Sequence, residues 1–138
     1  MTNILLDTNI ILDIALKRQP FFESSSKIFL MMDQNILSSY VTATTITDIY
    51  YIALKEKSRN IAREFIINLV SIVDVLGVDQ YVIHEALQRD MKDFEDAIQV
   101  SAADLRDIKI IVTRNPRDFN NCGLEVYTPD ELIETIGE

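Results

Sequence analysis

The chain has a single cysteine, Cys122, and lacks a long hydrophobic run. One thiol cannot form an internal disulfide, and such a composition is typical of a reducing compartment, so we expect a cytoplasmic protein. The long stretch poorest in charge, residues 34–54, is interrupted by Asp48 and is rich in serine and threonine, so we expect no membrane span. Because no basic segment leads into an apolar one near the N-terminus, we also expect no signal peptide.

Basic residues are scarce as well. The chain has 13 lysines and arginines against 22 acids, a net charge of −9. A passive nucleic-acid-binding protein usually presents a basic face, so this balance argues against one but allows an enzyme whose acids bind metal ions. The only histidine, His84, is predicted to lie on a helix face. Because no serine or cysteine stands in a nucleophile arrangement, we expect no covalent catalysis.

Repeats, low-complexity tracts and linkers are absent too, so the 138 residues predict one domain, 1–138. Short apolar strands are predicted at 4–6, 36–41, 72–76, 108–113 and 124–127. Helices are predicted at 9–16, 21–32, 43–57, 60–69, 79–89 and 93–107, with a last one starting at Pro129. Strands that alternate with helices in this way predict an α/β fold with a mostly parallel sheet covered on both faces.

Acidic residues follow or face the ends of these strands. Asp7 comes directly after the first strand, and it is the only ionisable side chain in the first twelve residues. Open parallel sheets bind their ligands at the carboxyl ends of the strands. Asp7 or Thr8 would equally well cap the helix that follows, and for Asp7 alone capping is the simpler interpretation. The remaining acids favour a shared site.

Two further acids lie within predicted helices. Asp48 is the only charged residue between Asp33 and Lys55, and a charge among packing residues is costly unless it is paired or binds a metal. The alternative is a solvated acid that complements the helix dipole. Asp96 heads a helix of small and apolar residues. Asp93 and Glu95 beside it are interpreted as residues that start this helix.

A fourth polar group follows the predicted strand 108–113, where Asn115, Pro116 and Asp118 stand. They could simply build a turn. If this strand is parallel to the first, however, they lie at the same sheet edge as Asp7. Carboxylates gathered there repel one another, and a hard divalent ion such as Mg²⁺ or Mn²⁺ would relieve the repulsion. Such an ion can activate a water and neutralise charge on a phosphoryl group.

Four segments occur in the order LLDTNIILD, TTITDIYYIA, DFEDAIQVSAA and IVTRNPRDF. Together they resemble the motifs of PIN-domain ribonucleases, and their spacing is similar to that of the VapC-type toxins of bacterial toxin–antitoxin pairs. The likeness spans essentially the whole chain. It implies a three-layer α/β/α sandwich and a Mg²⁺- or Mn²⁺-dependent endoribonuclease that cleaves single-stranded RNA by metal-activated water. It also implies a homodimer and a small antitoxin partner.

The same resemblance implies roles for particular residues. The catalytic and metal-binding set would be Asp7, Asp48, Asp96 and Asp118. Asn9, Thr113, Arg114 and Asn115 would lie at the rim of the site or bind substrate. The family more often has glutamate in place of Asp48, and many relatives carry the fourth acid where Asn115 stands. The fourth ligand is therefore Asn115, Asp118 or both, and we favour Asp118 because a carboxylate binds Mg²⁺ better than an amide does.

Two rival interpretations were weighed. An aspartyl-phosphate phosphatase would need a second acid two residues after Asp7, where Asn9 stands, and a receiver domain would need a lysine late in the strand before Asp118. Lys109 precedes that strand instead. The remaining alternative is a catalytically inactive PIN-like module that acts only through protein interactions.

Overall fold

The computed structural model describes residues 1–136, so the last two residues of the predicted domain lie outside the described part. The strands are β1 (Thr2–Leu6), β2 (Leu37–Thr42), β3 (Asp74–Leu76), β4 (Ile110–Val112) and β5 (Glu125–Tyr127). The helices are α1 (Thr8–Ala15), α2 (Phe22–Asp33), α3 (Ala43–Glu56), α4 (Arg59–Val70), α5 (Gln80–Gln88), α6 (Phe94–Leu105) and α7 (Pro129–Ile136). A 3₁₀ turn, Pro116–Phe119, follows β4.

The strands form one sheet in the order β3-β2-β1-β4-β5, and every pairing is parallel. The predicted α/β fold with a parallel sheet is therefore confirmed. Because β1 is the middle strand, its carboxyl end at Leu6 lies beside the ends of β2 and β4. Any side chain that follows these three strands reaches the same edge of the sheet.

The apolar run of β1 is buried on both faces of the sheet. Ile4 and Leu6 pack into a core with α1 to α4 and α7, while Leu5 packs into a second core with α5 and α6. All three side chains are fully buried. An uninterrupted apolar strand is what two covered faces require, and the result is the expected three-layer sandwich.

Helix starts follow local capping chemistry. Thr42, Ser58, Asp79 and Asp93 each accept a hydrogen bond from the backbone N–H three residues later. These bonds satisfy donors that the first helical turn leaves unpaired. The capping interpretation of Asp93 is thus confirmed.

Some predicted bounds were wrong by a few residues. β3 and β4 are shorter than the predicted strands 72–76 and 108–113, because Ile72 lies in the turn after α4 and Ile108 in the turn after α6. Part of the predicted loop 114–123 is a 3₁₀ turn, which buries Phe119 in the second core. Within residues 1–136, no helix has the length and apolar character needed to cross a bilayer.

Candidate active site

The structure brings the predicted acids to one cleft at the carboxyl edge of the sheet. Asp7 follows β1, Asp48 lies in α3, Asp96 lies in the first turn of α6, and Asp118 lies in the 3₁₀ turn after β4. All of them line a cleft of about 240 Å³, together with Asn9, Glu95 and Gln99. Residues from four separate segments of the chain therefore converge as the parallel topology requires.

Asp7 is the most tightly held of these acids. Its Oδ1 accepts hydrogen bonds from the Thr8 backbone N–H at 2.8 Å and from Gln99 Nε2 at 3.2 Å, and its Oδ2 accepts one from Thr113 Oγ1 at 2.8 Å. Only 6% of the residue is exposed. Burial raises the pKa of Asp7, although these three donors oppose the shift and the charge of Asp118 adds to it. Asp7 thus caps α1 and also faces the cleft.

Asp96 is destabilised as an anion by its neighbours. Desolvation is the largest cause, and together with the charges of Asp7, Asp93 and Asp118 it raises the pKa of Asp96 to about 7. Its backbone N–H donates to Asp93 Oδ1 at 3.1 Å, so the cap fixes the first turn of α6. The crowding anticipated from the sequence is present, and it contributes to the raised pKa of this residue.

Glu95 is the cleft residue that the sequence interpretation missed. Its side chain faces Asp48 across the cleft, and Thr8 Oγ1 donates to its Oε1 at 3.4 Å. Burial, the hydrogen bond with Asp48 and the charge of Asp48 together raise the pKa of Glu95 to about 8. A carboxylic acid that stays protonated near neutral pH can share its proton with Asp48. The sequence feature that could have revealed Glu95 is the isolation of Asp48. No other charged residue lies between Asp33 and Lys55, so a charged partner of Asp48 had to come from another helix.

The predicted rim residues lie in different places. Asn9 lines the cleft, and Thr113 is fully buried behind Asp7. The Asn115 backbone N–H donates to Thr113 Oγ1 at 3.0 Å, which orients the hydroxyl that bonds Asp7. Asp118 lines the cleft and Asn115 is not among its lining residues, in the part of the chain that the structure describes. This placement favours Asp118 as the fourth acid, a role that stays a prediction.

Arg114 points away from the acids of the cleft. Its Nε lies 3.2 Å from Oδ2 of Asp13, a fully buried carboxylate on α1, and its guanidinium stacks 4.2 Å above the Phe21 ring. Burial raises the pKa of Asp13, while the charge of Arg114 opposes the shift. Arg114 therefore ties the segment after β4 to α1 and α2, and its expected contact with substrate stays a prediction.

The donor set of the cleft suits a hard divalent cation. Its carboxylates and amides supply only oxygen and nitrogen atoms, and the pKa values of Asp7 and Asp96 are raised first by burial and then by neighbouring negative charge, which a cation would neutralise. Among residues 1–136, no three acid, histidine or cysteine side chains are gathered closely enough to form a ready-made metal site. The acids therefore ring an open cleft, and they do not form a closed cage.

The PIN domain family model matches residues 3–117 of the chain. The chain belongs to the PIN domain family. The matched residues include β1, α3, α6 and β4, the elements that carry or precede the acids of the cleft. The resemblance inferred from the four motifs is thereby confirmed at the level of the family. Comparison with curated proteins gives no match.

Solved structures show the same fold as this PIN domain. VapBC2 from Rickettsia felis bound to a promoter DNA fragment matches with a TM-score of 0.70 and 13% identity, covering 91% of this chain and 97% of that one. A toxin–antitoxin complex from Klebsiella pneumoniae matches with a TM-score of 0.68 and 22% identity, covering 91% of this chain and 97% of that one. The Mycobacterium tuberculosis toxin VapC20, which cleaves the sarcin–ricin loop, matches with a TM-score of 0.63 and 12% identity, covering 78% of this chain and 86% of that one.

Proposed function

We propose that this PIN domain is a divalent-cation-dependent endoribonuclease that cleaves single-stranded RNA. The observation that carries the proposal is the convergence of Asp7, Asp48, Asp96 and Asp118 on one cleft at the carboxyl edge of the sheet. The family match and the fold shared with a toxin that cleaves the sarcin–ricin loop support the same activity.

Asp7 and Asp96 are the residues that would hold a principal ion, because they are the most desolvated of the four acids. Asp48 and Asp118 would complete its surroundings or hold a second ion. A bound Mg²⁺ or Mn²⁺ would supply a Lewis acid that activates water and neutralises phosphoryl charge. The fit rests on the carboxylate oxygens that these acids offer and on their raised pKa values, which come from burial first and from neighbouring carboxylates second.

The other cleft residues position these acids. Thr113 and Gln99 direct hydrogen bonds at the two oxygens of Asp7, which fixes the carboxylate against rotation. Glu95, whose pKa is raised to about 8, keeps its proton at neutral pH, and this reduces the negative charge that the substrate phosphate meets. Removing Thr113 or Gln99 would therefore free the carboxylate of Asp7 to rotate while leaving its charge in place.

We further infer that the protein is a toxin neutralised by a small antitoxin and that it forms a homodimer. Solved relatives with the same fold include toxin–antitoxin complexes. The structure also exposes large apolar side chains on the adjacent helices α3 and α4, among them Tyr51, Ile61 and Ile67. Exposed apolar surface of this kind is typical of proteins that work in complexes.

The decisive experiment is RNA cleavage by the purified protein. Wild type, Asp96→Asn and the distant control Asp74→Asn would be incubated with cellular RNA in Mg²⁺, in Mn²⁺ and in EDTA, and the cut ends mapped. We expect cleavage by wild type and Asp74→Asn with either metal, leaving 3′-hydroxyl and 5′-phosphate ends, and none by Asp96→Asn. Intact RNA under every condition would overturn the nuclease proposal and leave the inactive interaction module.

A further inference from the structure

A second cleft continues from the acidic one. It has a volume of about 400 Å³ and lies between the segment before α6 and the 3₁₀ turn after β4. Asp93, Asp96 and Asp118 line both clefts and so form their common wall. A chain that enters the acidic cleft can therefore pass directly into this one, which we call the basic arm.

The basic arm differs from the acidic cleft in its cations. Lys92 and Arg117 both line it, from opposite segments, and both are exposed. The acidic cleft has no lysine or arginine among its lining residues, within the part of the chain that the structure describes. Four acids, Asp90, Asp93, Asp96 and Asp118, line the basic arm as well, so its distinguishing feature is the presence of two cations and not a net positive charge.

These two cations are also available to a ligand. The ion pairs formed within residues 1–136 involve Arg18, Arg89 and Arg114, and neither Lys92 nor Arg117 takes part in one. Asp93, the nearest acid in sequence to Lys92, is engaged as the cap of α6 through its Oδ1. Arg114, the other base of the motif, is bound to Asp13. The charges of Lys92 and Arg117 are therefore directed to solvent.

We propose that Lys92 and Arg117 form a subsite for a backbone phosphate of the RNA strand, next to the phosphate held at the acids. This inference rests on the proposed nuclease function. A nucleic-acid strand carries a phosphate at every nucleotide, so a strand whose scissile phosphate lies at Asp96 presents another phosphate to a neighbouring cleft. Asn120, which also lines the basic arm, adds an amide that can donate to the same group.

Binding measurements in an inactive background test the subsite without relying on cleavage. A fluorescent single-stranded RNA would be titrated with Asp96→Asn protein carrying Lys92→Gln and Arg117→Gln, over a range of salt concentrations. The matched control carries Lys109→Gln and Arg106→Gln, which remove the same two charges at the opposite end of the sheet and of α6. Each lost phosphate contact should reduce the slope of log affinity against log salt by about 0.7.

We expect the double replacement of Lys92 and Arg117 to flatten this slope by about 1.4 and to weaken RNA binding at least about fivefold at low salt. The control protein with Lys109→Gln and Arg106→Gln should keep a slope and an affinity close to those of the Asp96→Asn parent. Replacing single phosphates of the RNA by uncharged methylphosphonates identifies the phosphate that is bound. The replacement that weakens RNA binding to the Asp96→Asn parent should have no effect on binding to the variant that also lacks the charges of Lys92 and Arg117. Equal salt slopes in the two pairs would overturn the subsite. If wild type nevertheless cuts RNA, the nuclease proposal stands while this inference fails.

Discussion

Replacing Asp96 by asparagine should stabilise the metal-free protein while abolishing its proposed activity. Asparagine has nearly the shape of the protonated aspartate but cannot ionise. The pKa of Asp96 is raised from 3.8 to about 7, so the folded state binds its proton more tightly than the unfolded state does. By linkage, this group lowers stability as the pH rises from about 4 through about 7, and the cost is complete at pH 8.

The size of the effect follows from the same shift. A rise of this size in a carboxyl pKa corresponds to about 4 kcal/mol of lost stability at pH 8 if it is fully expressed. Asp96 is half-buried, and solvent screening reduces the expected cost to about 1–2 kcal/mol. For a chain of this length, that gain should raise the Tm of Asp96→Asn by about 4–7 °C at pH 8, and by almost nothing at pH 4.

The assay is thermal unfolding in EDTA at several pH values, followed by circular dichroism. Asp74→Asn, which removes an exposed acid at the start of β3, is the control and should show no comparable pH-dependent gain. A loss of stability for Asp96→Asn at pH 8, or the same gain at pH 4 and pH 8, would refute the argument from charge crowding.

Three further predictions follow from the same site. Saturating Mg²⁺ should raise the Tm of wild type more at pH 8 than at pH 5, because Asp96 and Glu95, with pKa values raised to about 7 and about 8, lose protons over that range. EDTA should reverse the change in a thermal-shift measurement. Thr113→Val removes the 2.8 Å hydrogen bond to Asp7 and should cost about 1–3 kcal/mol in urea unfolding, whereas Thr47→Val on the exposed face of α3 should cost little. Arg114→Met leaves Asp13 buried and unpaired and should cost about 3 kcal/mol, and adding Asp13→Asn should recover part of this loss if the charge is responsible.

The amino-acid sequence alone determined where the site lies. Three consecutive apolar residues before Asp7 require a strand buried on both faces, and alternating helices require its neighbours to be parallel. Residues that follow such strands must lie at one edge, so the grouping of Asp7 with the segment after β4 was predictable. Asp48 and Asp96 were predicted from the resemblance to the PIN-domain motifs, and for Asp48 the cost of a lone charge among packing residues supported the prediction.

Only the tertiary structure decided how the polar side chains pair. Glu95 looked like a helix-starting acid, and its contact with Asp48 exists because α3 and α6 approach each other across the cleft. Arg114 looked like a substrate contact, and its Nε lies 3.2 Å from Asp13 Oδ2, a buried carboxylate on α1 that the sequence did not indicate as its partner. Local sequence sets where a strand or helix ends, whereas the partner of a charged side chain depends on residues far away in the chain.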